Sequence, residues 1–376
     1  MKKIGKQVAF LATNKNNPRN GEGSFLRLND GRIMYAYTDY YGTSWKDEAT
    51  ARISAIYSDD EGESWSDPRV LIEKEDDQLN IMSVSLARMP NGEIGIAYLE
   101  KVDAGDRHTY CMPIFRYSAD DGKTFSKPLS LAKDFASYVI ANDRLTVTQS
   151  GRLLLPVAYA AGRLDTITDI LPPAEIRVLF SDDNGRSWDT LPGKIFFTYS
   201  DNHGLQEPGI VELDDGRLWV YARTAYGNQY QAFSIDGGNT FSAAEPNLCF
   251  TSPDSPMIIK RFSRTSVAIF NPCGFNCTEA RFEDWGAPRR TPFVCAVTSG
   301  DGSAFDTTGM TSFRGAFRPF MKSCYLIESD TNESYCYPTA IEVSDGFIVA
   351  YYHSNGSGIC LSSGKLTKIR FDELVL

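Results

Sequence analysis

The sequence predicts an all-β fold built from repeated antiparallel units, and three observations carry that prediction. A short turn motif occurs four times, an apolar strand led by a polar turn occurs six times, and no stretch of 15 or more residues sustains a 3.6-residue apolar period. The aromatic content of 12%, with 19 Tyr and 22 Phe in 376 residues, points the same way, because flat rings suit a pleated, half-buried surface.

The turn motif has the form S-x-D-x-G-x-[ST]-[WF]. Its copies run Ser58 to Trp65, Ser118 to Phe125, Ser181 to Trp188 and Ser234 to Phe241, with Asp60, Asp120, Asp183 and Asp236 at the third position. The spacing reads as a tight β-hairpin: Ser and Asp side chains bond local amides, Gly supplies a positive φ, and the aromatic residue closes the turn against its sheet. A worn fifth copy, Thr298 to Phe305, keeps Gly302 and the aromatic residue but has Gly300 where the Asp would stand.

The leading strands follow Gly31, Gly92, Gly151 and Gly216, with further copies at Arg264 to Phe270 and from Gly346 onward. The first four glycines are about 60 residues apart, room for four strands with long loops, and six such units account for the whole chain. Six four-stranded blades around an axis make a closed β-propeller, so the expected architecture is one six-bladed domain over residues 1–376, with short helices confined to loops and no Pro-, Gly- or Ser-rich linker.

Composition excludes several function classes. A formal charge of −10 and a pI near 5.0 oppose phosphate backbones and anionic lipid surfaces, so neither nucleic acid nor membrane is expected as a partner. The apolar stretch Val8 to Ala12 is too short for a signal sequence, and nothing approaches the ~20 apolar residues of a membrane-spanning helix. The eight cysteines lie scattered in apolar surroundings, the pattern of buried thiols in a reducing compartment, and a cytoplasmic location is the expectation. Cys273 and Cys277 form a CxxxC with no second pair or nearby His, so no metal site is expected. The absence of a phosphate loop or dinucleotide fingerprint argues against a nucleotide cofactor, and three histidines without a G-x-S-x-G elbow fit a Ser-His-Asp hydrolase poorly.

The hairpin motif is the Asp-box, and an Asp-box array in a six-bladed frame resembles the sialidase (neuraminidase) superfamily over essentially the full chain. Asp-boxes also occur in lectin-like and lyase propellers, so they speak for the scaffold and the site residues must speak for the reaction. The resemblance implies three arginines that clamp a substrate carboxylate, an Asp acid/base, and a Tyr nucleophile paired with a Glu. A neutral Tyr suits an anomeric carbon that bears a carboxylate, since an anionic nucleophile would be repelled there.

Carried onto this chain, the resemblance assigns Glu207 as the Tyr's partner and Arg223, 16 residues later across a turn and a strand, as a clamp arginine. An unpaired charge at Glu207 would be costly in its apolar, Pro-flanked context, and Arg223 at the end of an apolar strand needs an anionic partner. Tyr337 resembles the nucleophile, with Tyr335 as its competitor, and Arg290 a late clamp arginine, with Arg289 as its competitor. Asp47 falls where the acid/base belongs, with Asp39 and Glu48 nearby. One departure stands out: Glu22 occupies the place of the first clamp arginine, leaving Arg19 and Arg144 as possible donors of the missing charge. A carboxylate there would repel a substrate carboxylate or bind a hydroxyl or amine.

The leading expectation is an exo-glycosidase that takes a terminal sialic acid or related sugar acid by a retaining mechanism. Two alternatives stay open: a carbohydrate-binding propeller without turnover, and a lyase or inverting hydrolase that uses Glu22, Asp47 or Glu207 as general acid and base.

Overall fold

The computed structural model describes residues 1–103, 109–134, 136–160, 175–197, 204–263, 265–272, 290–306, 323–357 and 359–374. Among them there is no α-helix, only single 3₁₀ turns at Ser303–Phe305 and Phe371–Glu373. No helix among the described residues is long and apolar enough to cross a membrane.

The strands form antiparallel meanders that succeed one another along the chain. The first pairs Asn20–Arg27, Ile33–Tyr40, Ala51–Ser58 and Arg69–Ile72 in chain order. The next two, led by Gln78–Arg88 and by Ser137–Val139 with Thr146–Val147, are joined into one nine-stranded sheet by a single parallel bridge between Ser137 and Cys111. Two further four-stranded sheets begin with Gln206–Glu212 and Ile258–Arg261. The last comprises Tyr335–Val343, Gly346–His353 and Ser363–Arg370, and its outer edge is completed by the N-terminal strand Lys6–Leu11. That pairing ties the chain's two ends together and covers an edge that would otherwise be open.

Neighbouring sheets touch through their leading strands. Asn20–Arg27 packs on Gln78–Arg88 on one side and on Tyr335–Val343 on the other, Gln206–Glu212 on Ile258–Arg261, and Ile258–Arg261 on Tyr335–Val343. The apolar core lies between sheets: Met34, Ile53 and Leu26 of the first pack with Ile81, Leu86 and Ile96 of the second, and Phe25 and Tyr35 pack with Ile348 and Leu366 of the last. Strands such as Ile33–Tyr40 and Leu153–Ala160 are buried along their entire length, which explains why they read as continuous apolar runs rather than alternating ones. Each fully buried large apolar side chain contributes roughly 1.5–3 kcal/mol.

All four Asp-box hairpins share one bonding scheme. In the first, the Gly62 amide donates to Ser58 Oγ at 2.9 Å, the Ser64 amide to Asp60 Oδ1 at 2.9 Å, and the Ser64 hydroxyl to Asp60 Oδ2 at 2.5 Å. Gly62 needs both its φ of 83° and its lack of a side chain, since a Cβ there would stand 2.1 Å from Ile348 Cδ1 of the last sheet. Gly185 meets Phe115 and Gly238 meets Leu191 in the same way, so these turns also dock on the preceding meander. In the worn copy, Gly302 keeps φ 93°, Phe305 stays buried, and Asp301 accepts the Ser303 and Asp214 amides.

Candidate active site

The site is built on a backbone feature that recurs in the leading strands. The pairing register shifts between Gly21 and Ser24, Met82 and Ser85, Gln206 and Gly209, and Cys336 and Thr339. Each shift is a β-bulge, and its first inserted residue has a left-handed φ: Glu22 at 51°, Ser83 at 60°, Glu207 at 47° and Tyr337 at 55°. Asp143, just before Thr146–Val147, has φ 59° and belongs with them. Such a conformation costs a non-Gly residue of order 1 kcal/mol or more and re-aims its side chain.

Tyr337, Glu207 and Arg223 come together. The Tyr337 hydroxyl donates to Glu207 Oε1 at 2.5 Å, and Arg223 Nη1 donates to Glu207 Oε2 at 2.7 Å while lying 3.5 Å from the Tyr337 oxygen. Arg223 Nε donates to Asp254 Oδ1 at 2.5 Å. Burial, and then the Glu207 charge, push the Tyr337 phenol well up, while Arg223 and Arg290 pull it back. Arg290 donates Nη2 to the Asp254 carbonyl at 2.9 Å, with its guanidinium carbon 5.8 Å from the Tyr337 ring centre. Its Nε and Nη1 are buried without a hydrogen-bond partner among the described residues. Tyr335 instead packs into the core against Phe293 and Tyr351.

A second cluster adjoins the first through the edge-to-face contact of Tyr337 with Tyr352, ring centres 5.9 Å apart. Arg19, only 1% exposed, donates Nε to Tyr352 Oη at 2.8 Å, Nη1 to Asp47 Oδ1 at 2.5 Å, and Nη2 to Glu22 Oε1. Ser83 donates to the other Glu22 oxygen at 2.7 Å. Burial pushes Glu22 above the ordinary carboxylate range, and Arg19 restrains the rise. Asp47, whose side chain is 41% exposed, goes the other way: burial would raise it, but Arg19 and Lys101 outweigh that and hold it well below the usual range. Asp39 is engaged by Asn17, Arg52 and Ser54, and Glu48 is exposed.

Glu22, Arg19, Asp47, Glu207, Arg223, Arg290 and Tyr337 thus fall into two adjoining clusters. Arg144 takes a different course: it donates to the Met257 carbonyl at 2.7 Å and lies over Tyr221, with Nε and Nη1 unpartnered among the described residues. Arg289, His108, His203, Cys273 and Cys277 lie outside the described residues. Among the described residues no group of three or more His, Cys, Asp or Glu could hold a metal.

Sequence reasoning missed Asp254, which joins Arg223 to Arg290, and Tyr352, which lies between the clusters. It also missed Asp143, which accepts from Ser24 at 2.9 Å and Thr339 at 2.5 Å and pairs with Lys260 at 2.8 Å. A signal existed for the bulge: Ser24, Ser85, Gly209 and Thr339, all small, stand two residues after Glu22, Ser83, Glu207 and Tyr337.

Chemically, a phenol hydrogen-bonded to a carboxylate, with two arginines around them, can serve as a nucleophile beside a base and can accommodate developing negative charge.

Several known proteins resemble the chain. A curated relative, the anhydrosialidase of Macrobdella decora, is 30% identical over 145 residues, which is 35% of this chain and 16% of that protein. The intramolecular trans-sialidase from Ruminococcus gnavus, solved with oseltamivir carboxylate, superposes with a TM-score of 0.70 at 13% identity, covering 98% of each chain. A Dyadobacter fermentans protein of unknown function gives 0.71 at 16% identity, covering 97% of this chain and 99% of the other. A leech intramolecular trans-sialidase complexed with 2,7-anhydro-Neu5Ac gives 0.69 at 15% identity, covering 100% and 71%. These likenesses give an all-β, sialidase-like fold, and the match of residues 46–350 to the BNR repeat-like domain extends over most of the sequence: the chain belongs to the BNR repeat-like family.

Proposed function

We propose that the six meanders are the blades of one six-bladed propeller over residues 1–376, and that the chain is an exo-glycoside hydrolase of sialidase type. Its substrate class is a terminal sialic acid or related sugar-acid glycoside. In this reading Tyr337 attacks the anomeric carbon as Glu207 takes its proton, so the glycosyl group passes to the phenol oxygen. Asp47 protonates the departing oxygen and then, ionised, activates the water that releases the sugar with retention. Arg223 and Arg290 take the substrate carboxylate, and Arg290 has N–H groups to offer. Arg19, covered by its partners, is a positioning residue for Asp47 and Glu22.

The observation that carries the reading is the 2.5 Å bond from Tyr337 to Glu207 with Arg223 on the other carboxylate oxygen. The test is turnover of aryl α-glycosides of sialic acid, its deaminated analogue and uronic acids. Tyr337→Phe is expected to lower kcat at least about a hundredfold while still binding the sugar acid. A variant with full activity would remove the mechanism. Because Arg19 and Lys101 keep Asp47 ionised, kcat/KM is expected to rise as the pH falls toward the acid range.

A second reading, a carbohydrate-binding propeller without turnover, is favoured by the burial of Arg19 against Glu22, which withdraws one clamp arginine. It predicts saturable sugar binding with no chromophore released from any glycoside of the panel.

A further inference from the structure

Cys336 immediately precedes Tyr337, and its Sγ lies 3.7 Å from Sγ of Cys360. Ser334 Oγ is 3.1 Å from the Cys360 sulfur. Both cysteines share an apolar cluster with Tyr337, Tyr352 and Leu361. Cys336 is fully buried, whereas Cys360 is partly exposed. The positive charge of Arg290 acts on both sulfurs.

Cys360 differs from every other described cysteine, Cys336 included, whose thiol burial pushes well up. Burial pushes Cys111 and Cys295 up, Cys249 to about 11 and Cys324 to about 12. Cys360 is drawn down, first by the hydrogen bond that Cys336 donates to it, then by Arg290 and Ser334, against its burial. The thiolate is the reactive form, so the one partly exposed thiol of the pair is also the one held ready.

We propose that Cys360 and Cys336 are a peroxide-sensitive dithiol whose closure acts on Tyr337. The Cys360 thiolate attacks the peroxide O–O bond, giving a sulfenic acid and releasing water or an alcohol. The Cys336 sulfur then attacks the Cys360 sulfur, water leaves, and a disulfide forms, so two thiols and one peroxide become one disulfide, water and water or an alcohol. A disulfide needs sulfurs about 2.05 Å apart, so the two must approach by more than about 1.5 Å. Cys336 is joined by one peptide bond to Tyr337, whose left-handed φ of 55° sets its aim at Glu207, so the approach shifts the phenol. It also takes away the thiolate that faces Arg290. The effect on catalysis rests on the proposed glycosidase reading, and the chemistry of the pair does not.

The experiment is peptide mapping by mass spectrometry of the intact chain, before and after stoichiometric hydrogen peroxide. Expected is a Cys336–Cys360 crosslink with loss of two hydrogens, reversed by dithiothreitol. Cys360→Ser should abolish it, and Cys336→Ser should instead give a mixed disulfide at Cys360 with added glutathione. Should either variant misfold, labelling of the unmodified protein decides: iodoacetamide at neutral pH should alkylate Cys360 at least about tenfold faster than Cys111, Cys249, Cys295 or Cys324. Slower labelling of Cys360, or peroxide treatment without the crosslink, would overturn the proposal. An active enzyme that keeps full turnover with the crosslink in place would overturn the link to Tyr337 alone.

Discussion

The chain sets carboxylates into repeated turns in two ways. In the Asp-box hairpins, Asp60, Asp120, Asp183 and Asp236 bond a hydroxyl and an amide four residues away, at the surface. At the left-handed positions beside the leading strands, Glu22, Asp143 and Glu207 are buried, and their partners include residues 61, 196 and 130 positions away. A hairpin Asp therefore completes its bonding within its own turn, before any sheet meets another. A buried carboxylate of the second kind keeps a hydroxyl partner that a distant sheet delivers, even where its cation is local, as Arg19 is for Glu22 and Arg223 for Glu207. The first kind of turn builds the frame, and the second stores unfavourable burial at one place, where chemistry can use it.

Removing a cation from the bulge set is the most severe way to break this comparison. Arg19→Met leaves Glu22 buried with only Ser83 and Tyr352 in reach, and is expected to lower unfolding free energy by about 3–5 kcal/mol in urea titration. A loss below about 1 kcal/mol would mean that the buried pair is dispensable. In the hairpin set, Asp183→Ala removes bonds to Ser187 and Ser181 near the surface and should cost only about 1 kcal/mol by the same measurement, much like loss of a helix cap. Equal losses in the two variants would erase the distinction.

The same contrast explains what the sequence made legible. The hairpins were readable because Ser58, Asp60, Gly62 and Ser64 hold their whole hydrogen-bond scheme within seven residues. Glu207 and Arg223 were readable because one hairpin separates them, so that Gln206 pairs with Arg223 across it. Asp254 was not, since it reaches Arg223 from the turn after a later strand. Nor was Arg19's course: its donors go to Asp47, Trp45 and Tyr352, residues that only packing of the first and last sheets brings together. Cys336 and Cys360 looked like two scattered core thiols because their 24-residue separation hides a contact made across the last sheet.

The smallest expected effect is on the pH dependence of stability, where Glu22 and the hairpin Asp residues should pull in opposite directions. Glu22 is raised by burial, with Arg19 only partly compensating, whereas an unfolded Glu titrates near about 4.3. Between those two values the folded chain holds a proton that the unfolded chain has released, so unfolding free energy from this group falls as pH rises through the window. Asp60 and Asp236 are drawn down to about 2, the first mainly by the Ser64 hydroxyl and the second by the Thr240 amide. Their contribution is present above the unfolded value of about 3.9 and is lost as pH falls toward about 2. Glu22→Gln should therefore flatten the decline of Tm on the high side of about pH 4.3 and leave the acid limb alone. Asp60→Asn should soften the acid limb only, and by less, because water screens an exposed carboxylate. Each change should amount to about 2 °C or less in a chain of this size. Scanning calorimetry from acid to neutral pH reads both limbs in one series, and an acid-limb change in Glu22→Gln would show that the buried and exposed carboxylates titrate as one population.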